Sequence, residues 1–188
     1  MMRGRSRLAA LELAALTLAA LTLSGCSRPP APTPAQPSPT ASPVFASEDE
    51  VLAAATEAYA AYQAALDLAY SKYDMSLLVD VATTAEVDGV KASVAEWKAT
   101  KKKQVGKSGT HGVRLVVGGA GVIANEMIQI YVCLDVVGID VVDENGDSVV
   151  SEDQIDTYPM IVSLEWSAAA QRLLVTSEDV WTAENFCV

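Results

Sequence analysis

The sequence predicts an α+β fold: N-terminal helices packed on one face of a curved, cone-like antiparallel sheet. Three observations carry that expectation. Apolar residues recur at three- and four-residue steps from Leu52 to Tyr73 and again from Val87 to Trp97. After Lys107 the spacing changes to two, in runs separated by turns as far as Ser177. Asn145-Gly146, a dipeptide favoured in tight hairpin turns, lies between two of the alternating runs.

The first helix opens at Ser47-Glu48-Asp49-Glu50, a capping box whose three acids also suit the positive end of the helix dipole. Leu52, Ala55, Tyr59, Tyr62, Leu66, Ala69 and Tyr73 form its apolar stripe, with Glu57, Gln63, Asp67 and Lys72 off it. A short helical turn is expected at Ser76–Val81. Thr83-x-x-Glu86 reads as a second capping box, opening a helix with Val87, Val90, Val94 and Trp97 on one face. Lys98, Lys101, Lys102 and Lys103 fall at its carbonyl end, and Gly106 is expected to stop it. The lysines suit dipole complementation and solubility; their functional reading is a site for acidic partners such as wall polymers.

Of the strands, Val113–Val117 leads into Val-Gly-Gly-Ala-Gly, and then Ile128, Ile130, Val132, Leu134 and Val136 share one face. Gln129, Tyr131, Cys133 and Asp135 take the other. Ile139–Val142 and Ser148–Val150 flank the Asn-Gly turn. Met160, Val162, Leu164 and Trp166 alternate in a further strand, and Leu173–Ser177 returns beside it. No ionisable group falls on the face assigned to the core, so no inward-facing catalytic acid or histidine is expected.

Ahead of these elements, Arg3, Arg5 and Arg7 precede a run of Leu, Ala and Thr from Leu8 to Leu23 broken only by Glu12, the layout of a secretory signal. The run is too short for a comfortable membrane span. Residues 28–46 hold seven of the eight prolines and read as an extended tether, reaching roughly 60 Å at about 3.1 Å per residue. Only Val44 and Phe45 are suited to docking on a domain. The expected organisation is residues 1–25 as signal, 26–46 as lipidated cysteine and tether, and 47–188 as one domain, about 140 residues being enough for a single core.

Leu23-Ser24-Gly25-Cys26 resembles the lipobox of bacterial lipoproteins. The resemblance implies a diacylglycerol on the Cys26 sulfur, a covalent anchor strong enough for stable membrane attachment, and residence on the extracellular face of the cell membrane. It also commits Cys26 to lipid, leaving Cys133 and Cys187 as an even pair in an oxidising compartment. A disulfide between them would close a loop of about 54 residues; the alternative is two free thiols. Three helices before a curved antiparallel sheet resemble the nuclear-transport-factor-2-like superfamily, with a cystatin-like relative as the other choice. Lipobox, tether and late cysteine pair together resemble small surface lipoproteins of Gram-positive bacteria.

Charge and motifs narrow the function. At a formal charge of −11, made more negative when the signal leaves with its arginines, the chain is a poor nucleic-acid binder, and anionic headgroups would repel it. Val105-Gly106-Lys107-Ser108 lacks the first glycine of a phosphate loop and sits between helix and strand in the wrong order. Gly119-x-Gly121-x-x-Ala124 imitates a dinucleotide fingerprint, but strand-like alternation follows it where a helix is required. Asp143-x-Asn145-x-Asp147 has Ser148 and Gln154 where a calcium loop needs glycine and glutamate. With His111 alone and two cysteines paired, neither zinc nor a histidine triad is expected, and no cofactor.

The leading expectation is therefore a non-enzymatic surface lipoprotein, held by its lipid and binding an envelope protein or a small apolar ligand, with Tyr59, Tyr62 and Trp97 able to line a pocket. One alternative is a cone-fold enzyme of proton transfer or hydrolysis using Asp135, His111 or a tyrosine. Another is a structural module that forms homodimers through the open sheet face.

Overall fold

The element order is set by the two periodicities. In the computed structural model, which describes residues 44–116 and 127–187, α1 spans Glu48–Lys72, α2 Leu78–Val81 and α3 Thr84–Ala99. Six strands follow: β1 Lys103–Gly106, β2 Gly109–Leu115, β3 Ile128–Asp135, β4 Ile139–Val142, β5 Thr157–Ser167 and β6 Arg172–Val180. The predicted α+β class is the observed one. Cys26, the leader, the tether as far as residue 43 and Gly119-x-Gly121-x-x-Ala124 lie outside the described residues. Phe45, just before the first helix, packs edge-on against Trp166 with ring centroids 5.5 Å apart.

The main sheet is antiparallel in the order β2-β3-β5-β6, and β1 pairs with β4 in a separate two-stranded ribbon. β1 and β2 run on from each other, as do β3 and β4, so the two pairings form one ladder bent at a corner. That corner needs glycine. Gly106 has φ 87°, and a Cβ there would lie 1.8 Å from the carbonyl oxygen of Gly138. The expected role of Gly106 as a helix stop is therefore corrected: α3 already ends at Ala99, with Thr100 as C-cap and Lys101 left-handed at φ 58°. Of the lysines, only Lys98 sits in the last helical turn; Lys103 opens β1.

The core lies between α1 and the inner sheet face. Val51, Ala55, Tyr59 and Ala69 from α1 meet Ile130, Val132, Val162, Leu164 and Val175, all fully buried. The faces assigned to β3 and β5 from sequence are the ones observed, with Ile128 and Met160 also buried and Leu134 and Trp166 packed at the margin. Ser47 caps α1 as expected, accepting from the Glu50 amide at 3.2 Å, while the Glu50 carboxylate takes the Ala46 amide at 2.7 Å. The sheet edge at β6 is covered where Ala82 forms a parallel bridge to Val175 and the Thr83 amide donates to the Val175 carbonyl at 2.9 Å.

Candidate functional site

An acid lies on the core face, contrary to the expectation that none would. β6 begins with Leu173 and Val175 facing inward, and strict alternation would turn Ser177 in and Glu178 out. The ladder shifts instead: Val175 pairs with Leu164 but Ser177 pairs with Ser163, leaving Thr176 as the extra residue of a β-bulge. Glu178 then stands opposite the fully buried Val162 and points toward α1.

There it meets Tyr59 of the apolar stripe of α1 and Gln63, which apolar spacing placed off that stripe. The Tyr59 hydroxyl donates to Glu178 Oε1, and Gln63 Nε2 donates to the same oxygen at 2.7 Å and to the Tyr59 oxygen at 2.9 Å. Gln63 is only 6% exposed. One turn further, Asp67 Oδ1 accepts from Gln104 Nε2 at 2.6 Å and from the Ser108 hydroxyl at 3.1 Å, and Ser108 also lies 3.3 Å from Gln63 Oε1. Tyr59, Gln63 and Asp67 are spaced four apart, so one ridge of the helix carries a continuous row of directional bonds beside its apolar stripe. No buried side-chain polar atom among the described residues lacks a partner.

Tyr62, also buried, donates to Glu86 at the start of α3. This corrects the second capping box: Thr83 is the N-cap, but its side chain makes no capping bond. A phenol sealed against the core needs an acceptor, and Glu86 supplies it across the helix pair rather than closing its own cap. Glu178 is partly exposed as a whole residue, yet its carboxylate meets groups that are themselves buried. Desolvation therefore dominates and pushes its carboxyl up to about 6, against the lowering effect of the Tyr59 and Gln63 bonds, with the Glu86 charge adding to the rise. Burial and the nearby Glu178 charge hold both phenols far above the ordinary tyrosine value.

A second feature is an open cleft of about 570 Å³ lined by Tyr73, Lys98, Lys101, Lys103 and the turn from Asp143 to Gly146. Tyr73 caps α1 in the left-handed conformation and donates to the Lys102 carbonyl at 2.7 Å. Its ring is flanked by the ammonium groups of Lys98 and Lys103 at 5.9 and 5.7 Å from the centroid. Lys101 pairs with Glu144. The would-be calcium loop forms the other wall as a turn: Asp143 Oδ1 accepts the amides of Asn145 at 2.8 Å and Asp147 at 3.0 Å, bonds that hold its carboxyl below the usual range.

His111 and Asp135, the groups offered for an enzyme, come together on the outer face of the sheet, not in the core. Their Nδ1 and Oδ2 atoms are 3.4 Å apart with both side chains about half exposed, and Thr157 donates to the other Asp135 oxygen at 2.7 Å. Cys133, paired with His111 in the β2–β3 ladder, is bonded to Cys187, with Cα atoms 5.7 Å apart. The C-terminal segment consequently crosses the outer face: Trp181 and Phe186 flank Tyr131 at 5.0 and 5.2 Å, and the Arg114 guanidinium covers Phe186 at 4.5 Å. Part of the sheet face considered for dimerisation thus lies beneath this strap. Trp97 packs on Tyr70 at 4.6 Å rather than joining Tyr59 and Tyr62.

No helix among the described residues is long and apolar enough to cross a membrane. No family model matches the chain, and no curated protein is significantly similar to it. Among solved structures it is similar to the intermembrane space region of the chloroplast protein ARC6, at 13% identity and a TM-score of 0.50, over 69% of this chain and 95% of that one. At that identity the likeness bears on the fold alone, an arrangement of helices against antiparallel strands.

Proposed function

We propose that this protein is a lipid-anchored lipoprotein of the cell envelope, attached through Cys26 and carried on the tether 26–46, whose domain binds an acidic partner at the lysine cleft. The carrying observation is the placement of charge. In a chain with 24 acids and 13 lysines and arginines, Lys98 and Lys103 make no ion pair among the described residues and lie 5.9 and 5.7 Å from the Tyr73 ring centroid in an open cleft. Such ammonium groups are available to a carboxylate- or phosphate-bearing surface. An apolar ligand lodged between α1 and the sheet has less support, since Tyr59 and Tyr62 fill that space.

Full-length protein is expected to bind polyglutamate with an affinity that falls as salt rises, and the double reversal Lys98→Glu/Lys103→Glu is expected to abolish it. Binding unaffected by the reversal refutes the cleft. Cys26→Ala is expected to move the protein from the membrane to the soluble fraction, and unchanged fractionation refutes the anchor.

Glu178 favours a second reading, an enzyme using it as general acid or base, because a carboxyl titrating near 6 beside two phenols suits proton transfer. That reading requires turnover whose pH profile inflects near 6 and is lost in Glu178→Gln. A profile unchanged by the substitution removes it.

A further inference from the structure

The bulge at Thr176 places a carboxyl where β6 meets α1, and among the described residues no cation pairs with it. From α1 it is faced by Tyr59, Tyr62 and Gln63; from α3 by Glu86, whose charge acts on it; from its own strand by Asp179; and from β5 by Val162. Two neutral dipoles therefore hold whatever charge the group carries, with a second carboxylate on the far side of Tyr62. We infer that Glu178 is a proton-operated clasp between α1 and β6, tight when its carboxyl is protonated and loosened when it ionises.

The direction follows from where the proton is held more firmly. In the closed clasp the carboxyl titrates near 6; in an opened one, with water around it, it returns to the ordinary value of 4.5. The closed form therefore binds the extra proton between those two values. Closure is favoured fully below the lower value and progressively less as pH rises toward the upper one, then levels off. The ratio of the two dissociation constants limits the change in the opening equilibrium to about 30-fold. The bonds from Tyr59 and Gln63 survive ionisation, since both donate to Oε1, so loosening means more frequent opening, not loss of the fold. The effect is local because the rest of α1 is held by its apolar stripe and by Asp67, Gln104 and Ser108.

Native-state hydrogen exchange on the full chain from pH 4.5 to 7.5, corrected for intrinsic rates, tests the clasp. Amides around Tyr59–Gln63 and the end of β6 are expected to open up to about 30-fold more often at the upper pH. Glu178→Gln, which keeps the accepting oxygen, is expected to be flat at the better-protected level. Protection independent of pH in the wild type, or a slope that survives in Glu178→Gln, overturns the inference. Carbon-13 titration of the wild-type glutamate carboxyls gives a reading that needs no variant: Glu178 should inflect near 6, and inflection at or below the ordinary value overturns the clasp.

Discussion

Removing the Cys133–Cys187 bridge by Cys133→Ala/Cys187→Ala is the perturbation with the largest calculable effect. The two residues are separated by 54 positions, a span that takes in β4, β5 and β6. Loop-closure entropy in the unfolded chain scales with the logarithm of that separation and gives about 4 kcal/mol of stabilisation. For a domain of about 140 residues, each kcal/mol moves the melting temperature by roughly 3–4 °C, so a fall of about 15 °C is expected. Circular dichroism melts of the double variant and of wild type with and without reductant measure it. Denaturation in guanidinium should also show a steeper slope for the variant, whose unfolded chain is free to expand. Arg114→Ala is the control: it removes the guanidinium from Phe186 without cutting the crosslink and is expected to cost about 1 kcal/mol or less. A double variant melting within about 3 °C of wild type would show that the bridge scarcely constrains the unfolded chain, and the entropy argument would fail. Detection of two alkylatable thiols in the non-reduced protein would remove its premise.

Two other substitutions probe the bent corner of the ladder and the clasp itself. Gly106→Ala would place a methyl 1.8 Å from the Gly138 carbonyl oxygen in a backbone with φ 87°, so a loss above about 3 kcal/mol or failure to fold is expected in a denaturant titration. A loss under about 1 kcal/mol would mean that the corner can open. Tyr59→Phe removes a donor that lowers the Glu178 value, so Glu178 is expected to titrate still higher in a carboxyl NMR series, and a downward move would contradict the assigned bond.

Most of the scaffold was legible because it rests on two regular periods. α1, α3 and the inner faces of β3 and β5 follow from apolar spacing, and the Ser47 cap from its capping box. The site was not legible, for identifiable reasons. A β-bulge changes strand parity by one residue and leaves little mark in composition, and the last strand, expected over Leu173–Ser177, stopped one residue short of Glu178. Gln63 lies beside the apolar stripe, and a pattern that counts apolar residues cannot tell a solvated glutamine from one held by a buried acid. Glu86 satisfied a capping motif in sequence, but the motif says nothing of a phenol on another helix competing for the same carboxylate. A usable signal lay in the end of β6: Glu178 and Val180 continue the alternation only if one residue is skipped after Val175.

Burying a carboxyl at this point carries a cost that a purely structural role does not require. The difference between a value near 6 and the ordinary 4.5 corresponds to about 2 kcal/mol of folding stability, present at low pH and lost as pH rises through 6. Three apolar replacements, Glu178→Leu with Tyr59→Phe and Gln63→Leu, remove the acid together with both its donors, and the Ser108 hydroxyl keeps Asp67 as its acceptor. Buried polar groups removed together with their partners are often replaced at little cost or with a gain in stability. At pH 7 the triple variant is expected to equal or exceed wild type in stability, with a pH-independent melting temperature between pH 4.5 and 7. If it is instead destabilised by more than about 3 kcal/mol at both ends of that range, the Glu178–Tyr59–Gln63 group is a packing element whose shape matters more than its proton.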